Sequence, residues 1–215
     1  MWQAQVFTLY PDIFPGPLSK GLYGKALSKN LWNLKVVNIR DAAEDKHKTV
    51  DDTPYGGGSG MLLKADVLAK SLDQNKIEGE RVLYFSPKGK KFDQDYAKEL
   101  ASEKSLSMIC GHFEGVDERV LSTRNIEEVS IGDYVLSGGE SAAYVVTDSI
   151  LRLLPGVLGN DNSKIDESFE NGLLEYPQYT KPQIWEKKSV PEVLLSGDHS
   201  KIKDWRLSQS EAITR

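Results

Sequence analysis

Cysteine and histidine are both scarce in this sequence. One cysteine, Cys110, and three histidines occur among 215 residues. A single cysteine excludes an internal disulfide and a metal site built from several thiolates. His47, His112 and His199 lie far apart in the sequence, without the spacing that is typical of metal ligands. We therefore predict no dedicated metal site.

Long hydrophobic runs are also missing. No segment approaches the roughly 18 consecutive apolar residues that a membrane-spanning helix needs. The N-terminal residues lack the basic start and the small-residue cleavage site of a signal peptide. These absences predict a cytoplasmic protein without membrane association.

An excess of positive charge is the third absence. The chain has 27 basic and 32 acidic residues, which gives a net charge of −5. Bulk charge therefore does not indicate a nucleic-acid-binding protein, although a local basic face is enough for one.

Short apolar segments alternate with helical patterns in the first 159 residues. Strand patterns cover residues 2–9, 31–39, 81–85, 106–110 and 125–129, and helical patterns cover residues 18–29, 64–77, 93–103 and 116–122. This alternation predicts an α/β fold with a mostly parallel sheet and helices on both faces. We expect the turn residues 86–89 to end the third of these strands, and Asp93 to cap the helix that follows it.

The composition changes after Gly159. Residues 160–172 are polar and lack periodicity, which is typical of a linker. Residues 173–215 hold a turn region rich in proline and tyrosine and a helical pattern over residues 198–210. We predict a main domain over residues 1–159, an interdomain linker over 160–172 and a small helical C-terminal domain over 173–215.

A glycine-rich loop runs into an apolar helix between Ser130 and Leu154. Residues 131–140 contain three glycines, and residues 141–154 are apolar at helical spacing. Such a loop lets backbone amides approach a small ligand closely. Arg152 is a cation near the end of this helix, and a cation on an otherwise apolar helix needs an anionic partner or a function.

Two further loops with glycine, residues 86–90 and 111–115, also follow predicted strands. Ligands of parallel sheets gather at the carboxyl ends of the strands. We therefore expect the three loops to share one edge of the sheet and to form a ligand site.

Six longer strings make the chain similar to a known family. They are DKHKTVDDTPYGGGSGM from Asp45, GHFEGVDERV from Gly111, SIGDYVLSGGE from Ser130, RLLPGVLG from Arg152, YPQYTKP from Tyr176 and VPEVLLSGDHSKIKDWR from Val190. In these strings the chain resembles the bacterial tRNA (guanine-N(1))-methyltransferases of the TrmD family, which belong to the SPOUT class. The resemblance implies a trefoil knot in the α/β domain and a homodimer whose active sites lie at the subunit interface. It also implies S-adenosyl-L-methionine as methyl donor and nitrogen 1 of the tRNA guanosine 3′ of the anticodon (position 37) as acceptor.

The resemblance assigns cofactor binding to the three glycine-containing loops. The residues it implies are Tyr84, Ser86, Pro87, Gly111, Phe113, Glu114, Ile131, Gly132, Asp133, Tyr134, Val135, Leu136, Gly138 and Gly139. Flat contacts and backbone hydrogen bonds of this kind suit adenine and ribose. Each loop alone is also compatible with a simple turn, and Glu114 with a surface carboxylate or a residue that holds its loop.

The same resemblance implies the catalytic groups. Nitrogen 1 of guanine carries a proton, and a carboxylate can remove it. The family has an aspartate in an Asp-Ser-Phe string where this chain has Glu167, so Glu167 is the candidate base and Asp166 the alternative. Arg152 would stabilise the negative charge that grows on guanine oxygen 6. The alternatives are a solvated acidic linker for the carboxylates, and an ion pair at a helix C-terminus for Arg152.

Contacts with tRNA are expected in the C-terminal part. Basic side chains that can meet phosphates alternate there with aromatic ones that can stack on unpaired bases: Lys181, Lys187, Lys188, Lys201, Lys203 and Arg206, with Tyr176, Tyr179 and Trp185. Family members usually continue beyond the position of Arg215, so we expect the short C-terminal part to affect tRNA binding. His112 stands where the family commonly has arginine, and we assign it no catalytic role.

Three other functions compete with the methyltransferase. A SPOUT enzyme for another RNA and a non-catalytic RNA-binding module both fit the fold, and the altered base position favours the second of these. A nucleotide-phosphate binder would use the glycine-rich loop Gly56–Gly60, but this loop lacks a following Lys-Ser pair and a strand–GxGxxG–helix unit.

Overall fold

A sheet of five parallel strands forms the centre of the first of two compact units, residues Met1–Gly159 and Asn160–Arg215. The computed structural model describes residues 1–158, 168–169 and 172–215. The five strands are β1 (Trp2–Thr8), β2 (Trp32–Asn38), β5 (Arg81–Lys91), β6 (Ser105–Ile109) and β7 (Glu127–Ser130). Their order in the sheet is β2-β1-β6-β5-β7, and all neighbours are parallel. The short strands β3 (Asp51–Asp52) and β4 (Leu62–Leu63) pair antiparallel beside it.

Helices cover both faces of this sheet. They are α1 (Gly21–Ser28), α2 (Ala65–Gln74), α3 (Gln94–Ala101), α4 (Glu118–Thr123) and α5 (Glu140–Leu151). One hydrophobic core joins α1, α3 and α5 to one face, and a second core joins α2 and α4 to the other. The alternation of side chains along each strand supplies both cores: in β1, Val6 belongs to the first and Phe7 to the second. The predicted α/β fold with a parallel sheet is confirmed.

Helix boundaries follow local signals. The side chain of Asp93 accepts a hydrogen bond of 2.9 Å from the backbone N–H of Tyr96, so the predicted cap of α3 is confirmed. The helix expected over residues 18–29 is divided: a 3-10 turn over Gly16–Ser19 precedes α1.

The expected end of the third strand is wrong. β5 does not stop before Ser86 but continues to Lys91 after a shift in register, because Val129 pairs with both Phe85 and Lys90. Pro87 lies in this irregular segment, where the sheet requires no N–H donor. A Cβ atom at Gly89 would lie 2.2 Å from the backbone nitrogen of Val129, so only glycine allows the strands to approach again. Residues 86–89 therefore do not pair with β7.

The described part of the second unit contains a small hairpin and two helices. Strands β8 (Ile184–Trp185) and β9 (Lys188–Ser189) are antiparallel, and Glu186 and Lys187 make the turn with positive φ angles of 49° and 65°. Helices α6 (Glu192–Leu195) and α7 (His199–Thr214) follow, and Asp198 caps α7 through a 3.2 Å bond from the N–H of Lys201. None of the helices in the described ranges combines the length and the apolar character that crossing a bilayer requires.

Candidate functional site

The carboxyl ends of β5, β6 and β7 open into one cavity of about 280 Å³. The structure thus brings together the three loops that the sequence placed at this edge. Of the predicted cofactor residues, the following line the cavity: Tyr84, Ser86, Pro87, Gly111, Phe113, Glu114, Ile131, Gly132, Tyr134, Val135, Leu136, Gly138 and Gly139. Asp133 is not among the lining residues. The identity of the ligand stays a prediction.

Several lining residues were not predicted from the sequence. They are Phe85, His112, Gly115, Val129, Ser130, Ser137 and Ala142. Most are direct neighbours of predicted residues in the same loops, so sequence proximity was the available signal. His112, for which no catalytic role is expected, is one of them.

Backbone hydrogen bonds fix the loop over residues 111–115 from two sides. The N–H of Gly139 donates to the carbonyl of Gly111 at 3.0 Å, and His112 forms an antiparallel bridge with Gly138. On the other side, the N–H of Glu114 donates to the carbonyl of Met61 at 2.9 Å. The central wall of the cavity is therefore held by segments that are far apart in the sequence.

The mouth of the cavity is apolar and open to solvent. Phe113, Tyr134, Val135 and Leu136 line it and are all exposed, Val135 to 87%. Exposed apolar groups concentrated around one opening are typical of a surface that contacts a ligand or another macromolecule.

A buried carboxylate lies behind the lining. Glu140, the first residue of α5, is 7% exposed, and its Oε1 accepts a 2.6 Å hydrogen bond from the hydroxyl of Thr8. The Nε2 atom of His112 lies 2.9 Å from both carboxylate oxygens. The ring of Tyr10 packs edge-on against the imidazole of His112, with ring centroids 4.9 Å apart.

Two ionisable groups at this edge stay neutral near neutral pH. Burial, with a smaller contribution from the charge of Glu140, raises the pKa of the Cys110 thiol well above its ordinary value. Burial, with a smaller contribution from Glu128, also raises the pKa of Tyr84. Cys110 is fully buried and is therefore neither a thiolate nor accessible, whereas Tyr84 supplies a neutral aromatic wall.

Arg152, one of the predicted catalytic groups, is not among the residues that line this cavity. Arg152 is the exposed C-terminal cap of α5, whereas Glu140 at the other end of the helix adjoins the cavity. Twelve residues of helix separate the two by about 18 Å. Asp166 and Glu167 lie outside the described residues. Within the described ranges, no group of three or more His, Cys, Asp or Glu side chains is arranged to hold a metal ion.

The second unit has an aromatic cavity of its own, about 510 Å³ in volume. The guanidinium of Arg206 lies 4.8 Å from the ring centroid of Tyr176, and the rings of Tyr179 and Trp205 are 6.3 Å apart. Trp185 on β8 is 63% exposed. Stacked cations and aromatic rings can receive an unpaired base. Trp205 was not among the residues predicted for this role.

Comparison with known proteins gives a consistent result over the full length of the chain. The family model described as tRNA (Guanine-1)-methyltransferase TrmD matches residues 2–215. The curated tRNA (guanine-N(1)-)-methyltransferase of Pelagibacter ubique (strain HTCC1062) is 82% identical over 215 residues, which are 100% of this chain and 94% of the relative. The protein of the same name from Bartonella tribocorum is 57% identical over 214 residues, 100% of this chain and 92% of the relative. That of Brucella canis is 55% identical over 214 residues, 100% of this chain and 87% of the relative.

Proposed function

Because the chain belongs to the tRNA (guanine-1)-methyltransferase TrmD family, we propose that it methylates nitrogen 1 of a guanosine in tRNA. The observation that carries this proposal is the agreement with the family over residues 2–215, which includes every loop of the cavity. The acceptor is the guanosine 3′ of the anticodon (position 37), and the chain acts as an enzyme rather than as a binding module.

The methyl donor in this proposal is S-adenosyl-L-methionine, bound in the cavity at the carboxyl ends of β5, β6 and β7. The lining residues fit such a molecule: glycines expose backbone amides for an adenosine, and the neutral ring of Tyr84 and the apolar Ile131 offer flat surfaces. When bound, the donor supplies an electrophilic methyl group. The residues of the chain orient it, exclude water and handle the proton of the acceptor.

The proton of guanine nitrogen 1 is taken by a carboxylate of the connecting segment, Glu167 or its neighbour Asp166. The electron pair that remains on nitrogen 1 would form the new bond to the methyl carbon as the carbon–sulfur bond of the donor breaks, and S-adenosyl-L-homocysteine would leave with that electron pair on its sulfur. Arg152 stabilises the negative charge that grows on oxygen 6 as the proton leaves. No covalent bond to the enzyme is required, which agrees with the buried, neutral thiol of Cys110.

We also propose a homodimer with active sites at the subunit interface. Two observations support it: Arg152 is about 18 Å from the cavity end of its own helix, and the cavity mouth carries exposed Phe113, Tyr134 and Val135. In a twofold dimer, the cavity of one protomer could receive Arg152 from its partner, because Arg152 of the same protomer lies too far away. The trefoil knot of the SPOUT class and a C-terminal RNA-contacting domain over residues 173–215 are parts of the same proposal.

The test is methyl transfer from methyl-labelled S-adenosyl-L-methionine to unmodified tRNA with guanosine 3′ of the anticodon. We expect label at nitrogen 1 of that guanosine, and none in a matched tRNA with adenosine at the same place. Label at another nucleotide would favour a SPOUT enzyme for a different RNA. Binding of tRNA without any transfer would favour the non-catalytic module and overturn the proposal.

A further inference from the structure

The hydrogen-bond network of Thr8, His112 and Glu140 joins three segments that meet only at the cavity. Thr8 ends β1, His112 belongs to the loop after β6, and Glu140 begins α5. The N–H of Tyr10 donates to the Thr8 hydroxyl oxygen at 2.9 Å, and that hydroxyl donates to Glu140. The network is therefore continuous from β1 to the imidazole that lines the cavity.

The buried carboxylate of Glu140, at the centre of this network, is stabilised by its hydrogen-bond partners. Glu140 is 7% exposed, and a buried carboxylate is costly unless hydrogen bonds and charge compensate it. The hydroxyl of Thr8, the imidazole of His112 and the N-terminal turn of α5 provide this compensation. Because a carboxylate only accepts, Nε2 of His112 carries the proton in this contact.

The same contact sets the distance between two cavity loops. His112 bridges to Gly138 through the backbone, and its side chain reaches past Gly138 to Glu140. A Cβ atom at residue 138 would lie 2.3 Å from Cε1 of the imidazole and 2.6 Å from Oε2 of Glu140. No side chain fits between them, so the hydrogen bond between His112 and Glu140 and the glycine together fix how closely the loops approach.

We propose that His112 is a positioning residue of the methyl-donor site, which acts through Glu140 and Thr8 rather than on the reacting atoms. Its imidazole ties the loop over residues 111–115 to the turn before α5 and so holds the two lining segments at the spacing that the donor requires. This inference rests on the proposed function, because it takes the cavity as the donor site.

Two substitutions of His112 separate hydrogen bonding from packing. In His112→Gln the amide nitrogen can reach the position of Nε2, whereas in His112→Asn it is one methylene too short. Both changes remove the ring and its contact with Tyr10, so loss of packing affects both alike. Affinity for S-adenosyl-L-homocysteine is measured by calorimetry at a temperature where circular dichroism shows every variant folded.

We expect His112→Asn to weaken binding by about tenfold or more, the effect of leaving one buried polar group unsatisfied, and His112→Gln to stay within about threefold of the wild type. In methyl transfer, the KM for the donor should rise in His112→Asn more than the KM for tRNA. Equal affinities of the wild type and His112→Asn would overturn the inference, and so would equal losses in both variants.

Glu140→Gln serves as the second variant if His112→Asn does not fold. Its amide keeps the shape of the side chain, but only one of the two terminal atoms can still accept a hydrogen bond, whereas Thr8 and His112 contact both oxygens of Glu140. Weaker binding is again expected, and wild-type affinity would overturn the inference. A wild-type protein that binds no S-adenosyl-L-homocysteine would overturn the proposed function itself. Tight binding by the wild type with unaffected variants would overturn only the role of His112.

Discussion

Arg81 and Glu127 form a two-pronged ion pair between the neighbouring strands β5 and β7. Nε of Arg81 donates to Oε1 of Glu127 at 2.8 Å, and Nη2 donates to Oε2 at 2.6 Å. The hydroxyl of Tyr96 also donates to Oε2 of Glu127 at 2.8 Å, which joins α3 to the pair. A fork-to-fork geometry with a third donor is stronger than a simple surface contact.

Loss of this pair should weaken the fold measurably. We expect Arg81→Met to lower the free energy of unfolding by about 1 kcal/mol, since the pair is partly exposed and screened by solvent. Urea unfolding measures the change. Arg124→Met is the control: Arg124 makes a similar two-pronged contact with Asp73 and a weaker one with the Thr123 hydroxyl, both on the surface. Arg81 contacts Glu99 as well as Glu127, so the control should cost less. An equal or larger loss in the control would contradict the special strength of the Arg81 pair.

The pH dependence of stability should carry the signature of Glu127. The hydrogen bond from Arg81 and the charge of its guanidinium hold the pKa of this carboxyl below its ordinary value of 4.5. The stabilisation is therefore fully present above pH 4.5 and is lost as the pH falls through the lowered pKa. Relative to Glu127→Gln, the wild type should be more stable at neutral pH, and the difference should shrink in acid. Urea unfolding of both proteins from pH 7 downward tests this, and a constant difference would argue against it.

Removing the proposed base should stop the chemistry and spare the cofactor. We expect Glu167→Gln to reduce kcat by about a hundredfold or more, the usual contribution of general-base catalysis, with unchanged affinity for S-adenosyl-L-homocysteine. Single-turnover methyl transfer measures the first quantity and calorimetry the second. Asp166→Asn is the control and should keep most of the activity. The opposite result would transfer the role to Asp166.

Mixing two inactive variants tests whether the active site is shared. Arg152→Ala removes the proposed partner of guanine oxygen 6, and Gly138→Ala places a methyl group against the imidazole of His112 in the cavity. If a cavity takes Arg152 from the other protomer, random remixing of the two variants should restore about one quarter of the wild-type activity. Each variant remixed with itself is the control. No recovery, with exchange of subunits verified by a tag, would mean that both residues serve the same site from one protomer.

The thiol of Cys110 should be inert in the native protein. Burial raises its pKa well above the ordinary value, and its side chain is inaccessible. We expect no reaction with a thiol reagent until urea unfolds the chain, and then one thiol per molecule. Cys110→Ala should retain methyl transfer within about twofold and cost about 1 kcal/mol of stability through the small cavity it leaves. A folded Cys110→Ala protein without activity would contradict a purely structural thiol.

The order of strands and helices could be read from local patterns, because apolar runs and turn residues are properties of neighbouring positions. The convergence of the loops after Phe85, Cys110 and Ser130 also followed, since parallel strands place their carboxyl ends at one edge. The continuation of β5 beyond Ser86 did not, because it depends on Val129 accepting a second partner.

The Thr8–His112–Glu140 network was beyond local reasoning for the same reason. Thr8 and Glu140 are 132 positions apart, and only the completed sheet brings their side chains together. The sequence correctly predicted that Arg152 lies at the end of α5. It did not predict the distance between Arg152 and the cavity, because that distance depends on where the helix begins and on its length. Sequence alone says nothing of which protomer uses Arg152.

The sheet order has a consequence for how the chain acquires its shape during synthesis. β1, the first strand to leave the ribosome, pairs with β2 on one side and with residues 105–109 on the other. The second edge of β1 can therefore pair only after about a hundred further residues have been synthesised. Such pairing between distant parts of the sequence slows folding. Gly138, Gly139 and α5, which complete the lining of the cavity, are made later still, so the cavity cannot form until nearly the whole first unit has been translated.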